Sequence, residues 1–303
     1  MNSTTALPNP QPARTVHKLF SFARVGAIAG NTLLELVRLK VFYFLLLFAL
    51  LVIGSSAFVM NFTFQEQFQV LKDVSLGAMS IFTWLLAVLS TAMLLPKDIE
   101  DRTLYTILAK PVPRFEYLVG KLLGVLLLLL VATLLMGAMF AGALCFRQQM
   151  VIATTLQSVP ADQVQAAISE IRAQTFTASL IPGVVAIYLK AALCASVTLF
   201  ISTFATSWIF TILISVMVYF IGHIQSTARE YWLASGDGTQ LAKIFMFFVT
   251  LVFPDMQLFN LVDDIVAGNA IHMLMFWKTV GLGVSYLGVY LLAAYFMFAN
   301  KEL

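Results

Sequence analysis

Apolar residues along this chain come in long blocks, not at alternating or helical spacing. Six blocks stand out, at about 41–60, 74–95, 118–144, 181–203, 207–225 and 276–299. A helix needs roughly 20 mostly apolar residues to cross a bilayer. In lipid it must also satisfy its own backbone groups. Each block therefore predicts a membrane-spanning helix, with "TFATS" (203–207) as a tight hinge between the fourth and fifth. A further apolar run, "LAKIFMFFVTLVF" (241–253), has only thirteen residues before Pro254 and Asp255. That length suits a re-entrant or interfacial piece between spans five and six. The fold class expected is an all-α integral membrane protein with six transmembrane helices.

The polar stretches between blocks refine the picture. Residues 147–179 form a long polar excursion, in which "SVPADQVQAAISEIRAQ" puts Val164, Ile168 and Ile171 on one helical face, with Ser158 or Asp162 near its start. An amphipathic helix on the outer surface is expected there. Ahead of the first span, Thr32 and Glu35 in "NTLLELVRLK" have the spacing of a capping box. The preceding "VHKLFSFARVGAIAG" mixes Leu19 and Phe20 with Lys18 and Arg24, which suits a helix lying in the inner headgroup region. Residues 1–15 read as a disordered, proline-rich tail, and 16–303 as one transmembrane domain. No short apolar core with a small-residue cleavage site lies near the start, so the first span is expected to act as an uncleaved anchor.

Composition agrees. Of 303 residues, 60% are hydrophobic and 11% charged, against about 45–50% and about 25% in a soluble domain. The net charge of +3 is too small and scattered to imply nucleic-acid binding. Cys145 and Cys194 both lie in apolar surroundings and read as buried small hydrophobes. Lysine and arginine set the orientation. With the N-terminus inside, eleven fall on the cytoplasmic side (Arg14, Lys18, Arg24, Arg38, Lys40, Lys97, Arg102, Lys110, Arg114, Lys121, Lys301) and six outside (Lys72, Arg147, Arg172, Arg229, Lys243, Lys278). Both termini are thus expected in the cytoplasm.

The most charged segment, "LLPKDIEDRTLYTILAKPVPRFEYLVGKLLG" (94–124), falls between two spans and carries nine of the 33 charged residues. Asp98 is placed to cap a short helix with Ile99, Leu104, Ile107 and Leu108 on one face. Pro111 and Pro113 stop that helix before span three. On periodicity alone this is equally a solvated loop that carries the positive-inside charge.

The same run resembles the signature loop of ABC transporter permeases of the type-two exporter class. Glu100, Thr103, Leu104, Leu108, Pro111, Arg114, Gly120 and Lys121 stand in register with its pattern, and Arg102 departs from it where glycine is common. The later "FPDMQLFNLVDDIV" (253–266) resembles a second, weaker patch. The nearest likeness is to single-chain six-span permeases of the gliding-motility and copper-enzyme-maturation kind. The resemblance implies a coupling helix in this loop that inserts into a separate ABC ATPase subunit, with Ile99, Glu100, Thr103, Leu104, Leu108, Pro111 and Arg114 as docking residues. It implies an N-terminal interfacial helix within 16–40 and an outer segment dipping back within 226–275. It further implies a second permease copy or paralogue, with the cargo path between the two along spans two and five. Polar candidates on that path are Thr83, Ser90, Thr91, Ser215 and Tyr219.

No G-x-x-x-x-G-K-[ST] occurs, so this chain is not expected to be an enzyme. ATP and magnesium would be bound by the partner, with no cofactor here. His17, His223 and His272 are widely separated and form no metal-ligand pattern; Asp263 and Asp264 read as a solvated turn. Lys190 lies inside span four, where a charge is costly. It either meets an anionic cargo or buried carboxylate, or snorkels to the outer interface. Gly26–Gly30 and Gly120–Gly124 each match G-x-x-x-G, which lets helices approach closely. The function expected is the permease subunit of an ATP-driven exporter in the inner or plasma membrane. The alternative is an ATPase-coupled component of an envelope-assembly or force-delivering machine that moves no substrate.

Overall fold

The computed structural model describes residues 20–58, 64–100, 112–158, 160, 163–235, 249, 253–269 and 272–300. Among these, regular structure is helical throughout: α1 (Phe22–Val37), α2 (Lys40–Ser56), α3 (Phe64–Glu100), α4 (Arg114–Ser158), α5 (Val164–Thr175), α6 (Leu180–Phe204), α7 (Trp208–Ser235), α8 (Val262–Val266) and α9 (Met273–Ala299). Five helices are long and apolar enough to cross a membrane, and α1 with α2, bent by 68° at Arg38–Leu39, makes a sixth candidate. Each of the six apolar blocks thus has a helix over most of its described residues.

The helix ends differ from those the hydropathy blocks predict. α3 does not stop at Leu95 but runs through Pro96 to Glu100. Having 45 residues, α4 is about 68 Å long, more than twice the ~30 Å hydrocarbon core. It passes without a break through the expected polar excursion at 147–158. Hydropathy marks where lipid ends, whereas the backbone hydrogen-bond ladder continues wherever propensity allows. α4 starts at Arg114 because Pro113 presets the turn, and the Tyr117 N–H closes it on the Pro113 carbonyl at 3.2 Å. Two expected caps are absent for one reason. Thr32 sits inside α1 and Asp98 inside α3, so neither faces a free helix end. The amphipathic helix does form, as α5, with Ile171 and Thr175 buried.

α6 is the axis of the bundle. In its most apolar stretch 78% of residues are buried, against 17% for α9. Ala191, Ala192, Ala195 and Ser196 keep it slim, so α3 and α9 both pack on it. It ends at Phe204 because Ala205 turns extended, which forms the expected hinge to α7. Apolar side chains on α2, α7 and α9 face outward, including Phe44, Leu213, Met217 and Trp277. In lipid such a face needs no protein cover. Cys145 is among the outward residues, and only Cys194 is buried. "Apolar surroundings" in the sequence include lipid as well as core.

Of the expected re-entrant run, residues 241–248 and 250–252 lie outside the described residues. The chain that follows is irregular and lies against the bundle. The Met256 N–H donates to the Gly222 carbonyl at 3.0 Å, and a Cβ at Gly222 would meet the Pro254 carbonyl at 2.5 Å. α8 seats on the first turn of α6 through Gly183, where a Cβ would meet the end of Ile265.

Candidate functional site

Two groups of polar residues break the apolar pattern. The first gathers where α3 ends and α4 begins, at the stems of residues 101–111. Glu116, fully buried, accepts from the Arg24 guanidinium at 2.9 Å and from the Ser21 N–H at 2.8 Å. Arg24 Nε lies 2.8 Å from the other carboxylate oxygen, which makes the pair bidentate. One turn on, Lys121 pairs with Asp98 at 2.7 Å and reaches Glu35 at 3.6 Å. Glu35 also holds Lys97 at 3.1 Å. The Tyr117 hydroxyl donates to Asp98. Two groups of ion pairs therefore tie the helices together: Arg24–Glu116 joins α1 to α4, and Lys97, Glu35, Lys121 and Asp98 join α1, α3 and α4. The ammonium of Lys121 and the carboxylate of Asp98 are both largely withdrawn from water, so each needs the other.

The glycines make this assembly possible. A Cβ at Gly120 would lie 2.7 Å from Ile28, and one at Gly124 would lie 2.6 Å from Thr32. α1 crosses α4 through this notch, with Val25, Ala29, Thr32 and Leu36 inward. Gly26 and Gly30 have open space above them, so only one of the two G-x-x-x-G matches serves a close approach.

Among the expected docking residues, Ile99 and Glu100 are the last described residues of α3, and Glu100 is exposed. Arg114 is occupied: it donates to the Ala299 carbonyl at 2.5 Å and to Phe298 at 3.3 Å, which caps the C-terminus of α9. Thr103, Leu104, Leu108 and Pro111 lie outside the described residues. Sequence reading missed the partners of this network. Glu35 and Asp98 carry the local signal of a helix cap, and the long-range ion pair leaves no separate mark.

The second group lies mid-bundle. Lys190 is 4% exposed, so it does not snorkel out of its helix to an interface. Its ammonium sits 5.4 Å from the ring centre of Tyr219. Tyr219 stacks on Trp84 at 4.2 Å, and His223 follows at 6.1 Å. No carboxylate among the described residues pairs with Lys190. Trp84 Nε1, Ser215 Oγ and His223 Nδ1 are buried without hydrogen-bond partners among the described residues. Lys190 and Tyr219 are thus brought together. Thr83 and Ser90 are not part of this group: each donates to a carbonyl of its own helix, Met79 at 2.6 Å and Ala87 at 3.3 Å. Seven residues apart, they share a face of α3 about 100° from Trp84. Ser90 looks into an apolar void of about 10 Å³ beside Leu36 and Phe42.

The balance of energies at Lys190 is testable. A lysine at mid-bilayer costs about 2.5–3.5 kcal/mol, and a desolvated ring returns about 2 kcal/mol. Lys190→Met should therefore raise stability by about 1 kcal/mol, read as a higher melting midpoint in detergent. A clear fall in the midpoint would mean that the ammonium has a counter-ion.

Helices of this number, length and apolarity make a multi-pass membrane protein. Residues 26–303 match the family model described as ABC-2 family transporter protein, and the chain belongs to that family. The resemblance read from residues 100–121 agrees with this. No curated protein matches the chain.

Proposed function

We propose that this chain is the membrane-spanning subunit of an ATP-driven exporter, energised by a separate ABC ATPase that docks around residues 100–111. Both termini face the cytoplasm, and α1 lies along the inner surface. ATP and magnesium are held by the partner, and this chain contributes no cofactor. It works with a second copy or a paralogue. Cargo moves along α3 and α7, past Lys190 and Tyr219.

The observation that carries this reading is the anchoring of the stems of residues 101–111. Asp98 on one side, and Arg114, Glu116 and Lys121 on the other, bind α1, α3, α4 and the end of α9. A push on that loop reaches four helices at once instead of bending a free hairpin. ATP binding at the partner then shifts the bundle between two packings, by as much as the partner's affinity differs between them.

Glu100→Ala tests the docking contact, by co-purification with the cognate ATPase; Arg114→Ala is made separately, because that side chain already holds the end of α9. The retained ATPase and its coupled turnover should fall about fivefold, as loss of ~1 kcal/mol from an exposed charged contact implies. Unchanged complex and unchanged turnover would reject the docking surface.

A further inference from the structure

At the end of the bundle away from residues 101–111, α3, the α5–α6 connection and the end of α8 line a half-open cavity of about 240 Å³. Its walls include Phe68, Gln69, Lys72, Thr177, Val266 and Gly268. The chain builds these walls for local reasons. Gly268 has φ +79°, the left-handed turn that ends α8, and the Asn269 N–H then closes on the Asp264 carbonyl at 2.9 Å. Ile265 locks that turn against Gly183 on α6.

Lys72 is 5% exposed, and the cavity opens beside it. Two of its three N–H groups are taken, by the Gln174 carbonyl at 2.7 Å and the Thr177 hydroxyl at 2.9 Å. They cap the end of α5, a task that a neutral donor would also perform. Among the described residues no carboxylate pairs with this ammonium. Among the described acids of neighbouring elements, Asp73 and Asp264 are exposed, Glu170 accepts from Gln174 at 3.2 Å, and Asp263 accepts from Asn260 at 3.3 Å. The cavity therefore offers a positive charge with one N–H to spare. Beside it are the Thr177 hydroxyl proton and a Gln69 amide with no partner among the described residues. Phe68 and Val266 supply an apolar side. Among the described residues this buried cation is flanked only by donors and neutral acceptors, an environment that favours an anion.

We propose that this cavity binds one oxyanion group, carboxylate or phosphate, attached to a short apolar part. Lys72 holds the charge, Gln69 and Thr177 orient the oxygens, and Phe68 with Val266 covers the apolar portion. The volume is below that of a drug-sized pocket, about 300–1,000 Å³, which limits the bound portion to a small organic anion or an anionic lipid headgroup.

The test uses the full chain, delipidated in neutral detergent, with its melting midpoint followed during titration with inorganic phosphate, butyrate or phosphatidylglycerol. At least one probe should raise the midpoint saturably by several degrees. A response to phosphatidylglycerol alone assigns a lipid headgroup; a response to butyrate or phosphate assigns a soluble anion. Lys72→Gln should abolish the rise and Lys72→Arg should keep it. Val266→Trp fills the cavity without touching the charge and should also abolish it, so the test survives if Lys72→Gln folds poorly. No rise with any probe, or equal rises in wild type and Val266→Trp, would overturn the proposal. No ATPase is present, so this outcome is independent of the docking experiment.

Discussion

Lys121→Met is expected to destabilise the protein by about 3–5 kcal/mol, the usual cost of stripping one partner from a buried ion pair. The reason is asymmetric. Methionine fills the volume of the lysine stem, so little packing is lost. Asp98, however, keeps its charge in a site nearly closed to water, where the Tyr117 hydroxyl still donates to it but its ammonium partner is gone. Glu35 loses one of its two cations and keeps Lys97. A drop of this size should lower the melting midpoint by on the order of 10 °C. The double variant Lys121→Met/Asp98→Asn separates charge from shape. Asparagine still accepts from Tyr117 but carries no charge, so most of the loss should return. Additive losses in the double variant would show that the pair is not coupled. Because this network anchors both stems of the expected coupling loop, the single variant should also lose ATPase stimulation out of proportion to the folded protein remaining.

Some of this architecture is legible in the amino-acid order, and the missing parts have physical causes. The spans are legible because transfer of apolar side chains into lipid is a local, additive quantity. The hinge at Ala205 and the restart after Pro113 are legible because backbone restrictions act over one or two residues. The extension of α3 and α4 past the apolar blocks is not, since a helix that leaves the membrane keeps its hydrogen-bond ladder, in α3 even through Pro96, and reaches at least Glu100 and Ser158. The ion-pair network is hidden for another reason. Arg24 and Glu116 are 92 residues apart, and nothing in either neighbourhood specifies the other. Lys190 is conspicuous as a charge within a span. Its aromatic companions Trp84 and Tyr219 look like any other large residues in apolar runs until the helices are packed. Gly120 and Gly124 lie between these cases: the spacing marks a possible notch, while Gly26 and Gly30 carry the same mark and face open space.

That contrast makes the glycines a sharp test of how α1 is held. Gly124→Ala should destabilise by about 1–3 kcal/mol, the cost of overpacking a tight contact. Its new methyl would lie 2.6 Å from the Thr32 Cβ and 2.9 Å from the Ala29 carbonyl oxygen. The second of these is backbone, so no side-chain rotation relieves it, and the whole of α1 must move away. Gly124→Leu should displace α1 outright, pulling Arg24 from Glu116 and Glu35 from Lys121. The movement can be read as a longer spin-label distance between Asn31, on the exposed face of α1, and Leu127, on the exposed face of α4. Gly30→Ala supplies the opposite expectation. It has open space above it, and alanine is a better helix former than glycine by about 1 kcal/mol. The same methyl group should therefore stabilise the protein at one G-x-x-x-G match and destabilise it at the other. If both substitutions were neutral, α1 would be lying on the membrane surface beside α4 and not locked into it. The ion pairs would then have to hold α1 by themselves: the bidentate Arg24–Glu116 pair, with its buried carboxylate, and the exposed Glu35–Lys97 pair, worth only about 0.2–1 kcal/mol.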